Sequence, residues 1–294
     1  MIPQELVEEL RYIEIYTRRA VRDHRVGDYR SPLRGRGFEF DQHKPYQQGD
    51  DYRQIDWNAT ARMRHPFVKK DFEEKELSAI IMADLSRSME FASVDQSKRE
   101  LLARVAAILA FSATSNNMKV GLLGFTDRIE VDIPLKSGSR QIWQILESLW
   151  DVKPGSTRTD FTVPFAHLFG KLKTSALIFL ISDFIQAESA LRGHALRNIA
   201  RKHDLVPVII EDNWEEALPS GRGFARLRDA EWGGAMVLNL SGKNQHLYRS
   251  MMLERRVALE RALYGLGLDH LFLHTGESFL DPLIGFFLGR KKRR

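Results

Sequence analysis

The 294-residue sequence predicts an α/β protein: a doubly wound, mostly parallel sheet with one antiparallel strand, preceded by an irregular, β-rich module and an N-terminal helix. Three observations predict it. From Leu77 onward, short apolar runs alternate with amphipathic stretches, the rhythm of a sheet covered on both faces. Between Gly27 and about Glu74 that rhythm is absent, and short segments rich in Gly, Arg, Asp and aromatics follow no period. At the start, Leu6, Leu10, Ile13 and Val21 recur at helical spacing between Arg and Glu, which places a helix over about Pro3 to Asp23. The domains expected are therefore 1–75, a helix and collar module, and 76–294, the α/β domain.

Taken in order, the apolar runs place strands at Leu77–Ala83, Val120–Phe125, Arg128–Ile133, Ala176–Ile181, Asp204–Ile210 and His270–His274. Helical spacing places helices at about Lys98–Asn116, Ser139–Leu149, Val163–Leu172, Glu188–Lys202, Asn244–Leu266 and Phe279–Leu288. The second and third strands are separated by Thr126-Asp127, a turn suited to a hairpin, so one strand runs against the rest. Near 219–240 the alternation of apolar and polar residues around Gly233-Gly234 predicts a second hairpin inserted in the α/β rhythm.

Composition narrows the function. With 43% hydrophobic and 28% charged residues the chain is globular rather than disordered. Cysteine is absent, so any metal must be held by oxygen or imidazole, and the nine His are scattered without ligand spacing. The longest apolar stretch, Ala176 to Ile185, is broken by Ser182 and Asp183 and is too short for a bilayer core of about 30 Å. Glu5, Glu8 and Glu9 stand where a signal peptide needs positive charge. Together these lead to expectations of no membrane span and a cytoplasmic location. The net charge of +5 is concentrated at the ends, in the Arg-rich segment Arg11–Arg36 and the tail Arg290–Arg294. A basic end reads either as a contact for phosphate or an acidic partner, or as a solvated helix face and frayed tail.

Ligands of a doubly wound sheet collect beyond the carboxyl ends of the strands, where strand order reverses. After the first α/β strand comes Asp84-Leu85-Ser86-Arg87-Ser88, and after LIFLIS comes Asp183 at the same end of the sheet. Between them, Gly155-Ser156-Thr157-Arg158-Thr159 forms a Gly-containing loop. Taken singly, each segment also reads as a helix cap or a turn. Taken together, Asp84, Ser86, Ser88, Thr157 and Asp183 supply the oxygen shell that a hard divalent cation requires, with Mg²⁺ foremost and Mn²⁺ or Ca²⁺ as alternatives. The two carboxylates balance the cation's charge, which suits capture of a further Asp or Glu from a protein partner better than activation of water.

This set resembles the metal-ion-dependent adhesion site of the von Willebrand factor A family, a Rossmann-type fold. The resemblance implies direct coordination by Ser86 and Ser88, Thr157 directly or through water, and Asp84 and Asp183 largely through water. Thr159 is the competing choice for the Thr ligand. Phe184 departs from the pattern, since many members have Gly after the last Asp.

Upstream lie RGRGFEF and KPYQQGDDYRQIDWNATAR, with Gly49 to Trp57 followed by Ala61-Arg62 the most specific stretch. With the A-like domain, this is similar to the prokaryotic family catalogued as domain of unknown function 58. That resemblance implies association with MoxR-type AAA+ ATPases, as an adaptor in assembling or activating other proteins. Within the stretch, Asp50, Asp51, Arg53, Asp56 and Arg62 form a candidate ion network, and Ile55 and Trp57 are expected to anchor the module. The function expected is a non-enzymatic, metal-dependent protein-binding adaptor. One alternative is a hydrolase using the crevice, against which stands Ser86, where a second acid would be expected, and the absence of a GxxxxGK phosphate loop. The other is a nucleic-acid binder built on the basic ends.

Overall fold

The computed structural model describes residues 43–47, 52, 55–63, 65–69, 77–185, 187–219, 221, 223–231 and 233–293. The helix expected over 3–23, and Asp50, Asp51 and Arg53 of the expected ion network, lie outside them. The chain divides into two compact units, with Arg34–Glu76 as the smaller and the Leu77–Arg294 segment in the larger.

The small unit contains β1 (His43–Pro45), α1 (Trp57–Met63) and β2 (Phe67–Lys69), with β1 and β2 antiparallel. Asp56 joins helix to ribbon: its amide donates to the Phe67 carbonyl at 2.8 Å and its carbonyl accepts from Thr60. The Thr60 hydroxyl accepts from the Phe67 amide at 3.0 Å. Ile55 is half-buried, but Trp57 is 71% exposed, so the expected buried anchor is corrected. A ribbon of two three-residue strands and a short helix has too little surface to enclose an indole.

The large unit follows the predicted rhythm. Its elements are β3 (Ser78–Asp84), α2 (Lys98–Ser115), β4 (Lys119–Phe125), β5 (Ile129–Lys136), α3 (Ser139–Asp151) and α4 (Thr162–Lys171). They continue with β6 (Leu177–Ser182), α5 (Glu188–Arg192), α6 (His194–Lys202), β7 (Asp204–Glu211) and α7 (Asn213–Glu216). The last are β8 (Phe224–Arg228), β9 (Ala235–Asn239), α8 (Gly242–Gly265), β10 (Leu271–His274) and α9 (Leu280–Arg293). The six-stranded sheet runs β10-β7-β6-β3-β4-β5, parallel except for the antiparallel β4–β5 pair. From β3 the chain builds outward to β5, then returns across to β6 on the other side. Strand order therefore reverses between β3 and β6.

Strand alternation explains the two layers. On β3, Ala79, Ile81 and Ala83 face a core shared with α2, α3 and α9, including Leu101, Val105, Ile145 and Leu283. Ile80 and Met82 face the opposite core with Phe165, Leu168, Ile199 and Leu263 from α4, α6 and α8. A strand buried on both faces has no polar alternation, which is why IIMA and LIFLI read as continuous apolar runs.

Three details differ from the sequence reading. The helix expected over Glu188–Lys202 is two, broken at Gly193, whose backbone is extended. The β4–β5 turn takes in Arg128 as well as Thr126 and Asp127, closed by the Thr126 amide donating to the Arg128 carbonyl at 2.9 Å. The C-terminal helix runs beyond Leu288, and Arg290 is buried against Asp204 (2.7 Å) and Asp269 (2.9 Å). Arg290 is thus an internal ion-pair residue and no part of a frayed basic tail.

His203, between α6 and β7, sets a pH test for this unit. Its ring is buried, and Nδ1 accepts from the Ala176 amide at 3.2 Å, which requires the neutral form. Burial, assisted by Lys202, lowers its pKa from 6.5 to about 4. A base whose folded pKa lies below its unfolded value stabilises fully above 6.5, and that stability is lost as pH falls toward 4. We expect His203 to contribute ~3 kcal/mol to the loss of stability over that window. Urea titrations at pH 7 and pH 4 measure it, and a His203→Gln variant with the same pH slope as wild type would show the assignment to be wrong.

Candidate metal centre

Beyond the reversal point, β3 ends at Asp84 and β6 at Ser182, and their loops enter one crevice. The Leu85 amide donates to the Phe125 carbonyl at 2.8 Å, so the chain leaving β3 is held against β4. Gly124 leaves room for the Leu85 side chain, since a Cβ there would lie 2.7 Å from Leu85 Cδ1. Asp84 is buried, with Oδ1 accepting from the Ser86 amide at 2.9 Å and Oδ2 from the Ser182 hydroxyl at 2.6 Å. Ser86 occupies the N-cap position of a 3-10 turn (Arg87–Glu90), yet its hydroxyl caps nothing. It lies instead 3.1 Å from the Ser88 hydroxyl. Ser88 in turn lies near enough to Asp183 to help lower its pKa. The structure thus brings four of the five predicted residues into one buried run: Asp84, Ser86, Ser88 and Asp183.

The fifth, Thr157, is tied in by its backbone, whose carbonyl accepts from the Arg87 amide at 3.1 Å. Glu130 fixes the start of that loop, accepting from the Gly155 amide at 3.0 Å and the Thr126 hydroxyl at 2.7 Å. The Thr157 and Thr159 side chains both meet Glu231, in the turn between β8 and β9. The Thr157 hydroxyl donates to the Glu231 carbonyl at 3.2 Å. The Thr159 hydroxyl and amide donate to the Glu231 carboxylate at 2.9 and 3.2 Å.

Sequence reasoning missed the charges that surround the run. Lys98, the first residue of α2, is buried, and its ammonium lies 2.7 Å from Asp183 Oδ2 and 2.6 Å from Glu215 Oε1. Burial works against this ammonium, but the two carboxylates outweigh it and its pKa is raised. For Asp183, burial likewise opposes ionisation, and Lys98 reverses that, holding the carboxyl below its usual range. Asp84 has no such cation: burial first, then the Asp183 charge, pushes it up to about 7. Glu215 also rises to about 7 through burial, despite Lys98. Fully ionised, the three carboxylates and one ammonium leave a charge of −2 in a low-dielectric crevice.

That arrangement fits a hard dication. The donors are hydroxyl and carboxylate oxygens, and each Asp84 and Asp183 oxygen with a single protein partner retains a lone pair. Among the described residues, Glu211, Glu216 and His274 form another group with ligand atoms within 4.8 Å of one another. The Arg256 guanidinium lies 2.9 Å from Glu211 and 3.2 Å from Glu216, so a cation already offsets one of the two carboxylate charges of that group.

Phe184 shows how the departure from Gly is accommodated. Its φ is +52°, a left-handed conformation that a bulky residue adopts at a cost of about 1–3 kcal/mol. Its buried ring stacks on Phe161 at 5.6 Å between centroids, which offsets that cost by apolar burial.

The family model described as "Protein of unknown function DUF58" matches residues 42–258, spanning the whole crevice and the β8–β9 hairpin. The chain belongs to this family. Uncharacterized proteins of Mycobacterium tuberculosis and Mycobacterium bovis are 26% identical over 290 residues, 98% of this chain and 90% of theirs. Among solved structures, the conserved hypothetical protein BatB of Bacteroides thetaiotaomicron is similar at 14% identity and a TM-score of 0.46, covering 74% of this chain and 100% of that one. An aerotolerance-related membrane protein of Bacteroides fragilis is similar at 14% identity and a TM-score of 0.44, covering 73% of this chain and 99% of that one. The expected cytoplasmic location is withdrawn; the Bacteroides fragilis match is described as a membrane protein. Among the described residues, no helix is long and apolar enough to cross a membrane.

Proposed function

We propose that this DUF58 protein is a binding adaptor whose α/β unit is a von Willebrand factor A-like domain. In this reading the crevice holds a divalent cation, Mg²⁺ first, through Ser86 and Ser88 directly, Thr157 directly or through water, and Asp84 and Asp183 largely through water. The loaded site then takes an Asp or Glu from a partner protein. The observation that carries the reading is the run Asp84–Ser86–Ser88–Asp183 at the reversal of strand order, with the Ser86 hydroxyl turned to Ser88 instead of capping. Asp84 and Asp183 lie close enough to repel, and a dication supplies the charge that relieves this. Resemblance adds the first partner to test, a MoxR-type AAA+ ATPase.

Calorimetric titration with Mg²⁺ and Mn²⁺ tests the metal. Asp84→Asn keeps the side-chain shape and should weaken binding by about 100-fold, the upper end for loss of a supporting metal contact. Its circular dichroism should match wild type, because the sheet supplies its own core. Equal affinity in the variant would exclude this site. Capture of a partner should fail in excess chelator and in Asp183→Ala and Thr157→Ala.

A further inference from the structure

The β8–β9 hairpin forms a separate two-stranded sheet, and an isolated ribbon of that size is marginally stable at best. Its strands are largely open to solvent, with Phe224 74% and Val237 65% exposed. Among its described residues, the buried side chain lies at the turn. Glu231 is only 8% exposed and makes three hydrogen bonds to Thr157 and Thr159, and its amide donates to the Asp229 carboxylate at 2.9 Å, which shapes the turn. A carboxylate is therefore buried beside a crevice that already carries excess negative charge, on the loop that supplies the Thr ligand. Burying a further anion there is costly unless a cation shares the site.

We propose that the hairpin is a latch: Glu231 stands in for the partner's carboxylate, and a partner reaches the metal only by lifting the hairpin. The inference rests on metal-dependent capture and adds its regulation. The latch lowers the apparent affinity for any incoming carboxylate by the fraction of time the hairpin is closed. Among the described residues, none of the hairpin belongs to either core, so opening breaks the Glu231 bonds without disrupting those cores.

Hydrogen exchange of the full chain, wild type against Glu231→Ala, tests the latch. Amides of 224–239 should exchange faster by about tenfold or more in the variant, while those of β3 and β6 are unchanged. Acetate titrated into the Mn²⁺-loaded proteins tests competition, read by the relaxation of manganese-bound water. Acetate should displace that water at a concentration about tenfold lower in the variant. Tight Mn²⁺ binding with unchanged hairpin exchange, or with equal acetate midpoints, would overturn the latch and leave the metal site standing. Absence of Mn²⁺ binding in both proteins would instead sink the metal reading, and the competition with it.

Discussion

Lys98→Met is expected to destabilise the protein by about 3–5 kcal/mol in the absence of divalent metal, because it leaves the buried Asp183 and the partly buried Glu215 without their cation. Methionine fills much of the volume of the lysine stem, so the loss reports charge rather than a cavity. The pair does not have to be a net source of stability for this to hold, since removing one partner exposes the full cost of the other's burial. Urea titration measures the loss. Adding Glu215→Gln to Lys98→Met should recover part of it, the two sites being in direct contact and so non-additive. If Mg²⁺ occupies the crevice as proposed, it should also narrow the gap between variant and wild type, because the variant site carries one more uncompensated negative charge. An unchanged urea midpoint without metal would mean that solvent already reaches Asp183.

The second large effect is expected at the other end of the sheet. Arg290→Met should likewise cost about 3–5 kcal/mol, since the guanidinium is buried 2.7 Å from an equally buried Asp204. Asp204 opens β7 and Asp269 precedes β10, so this one side chain ties α9 to two neighbouring strands. The loss should be insensitive to salt, because a buried pair is screened little. A variant whose melting temperature matches wild type, or whose loss disappears on adding salt, would return Arg290 to the solvated tail in which its sequence context placed it.

Arg290 shows where one-dimensional reading stops. In GRKKRR nothing separates the first arginine from the cations after it; α9 does so, by bringing it under β7. The same holds in the crevice. Lys98 meets Asp183 across 85 residues and Glu215 across 117, and Glu231 reaches Thr159 across 72. None of the three carries a local signal: Lys98 sits inside an ordinary capping box, and Glu231 looks like any acid in a hairpin turn. Likewise, Trp57 reads as an anchor by residue type, but the small ribbon around it leaves it open to solvent.

What the sequence determined by itself is the α/β rhythm and the run of Asp84, Ser86 and Ser88 with Asp183. Those depend on short-range physics: apolar runs that must be buried on both faces, and polar residues that must follow where such a strand ends. What only the tertiary structure decided is which charges those residues face and what covers them. Crossovers and hairpins join positions whose separation along the chain carries no period, so the cation on Asp183 and the carboxylate on the Thr157–Thr159 loop are set by packing alone.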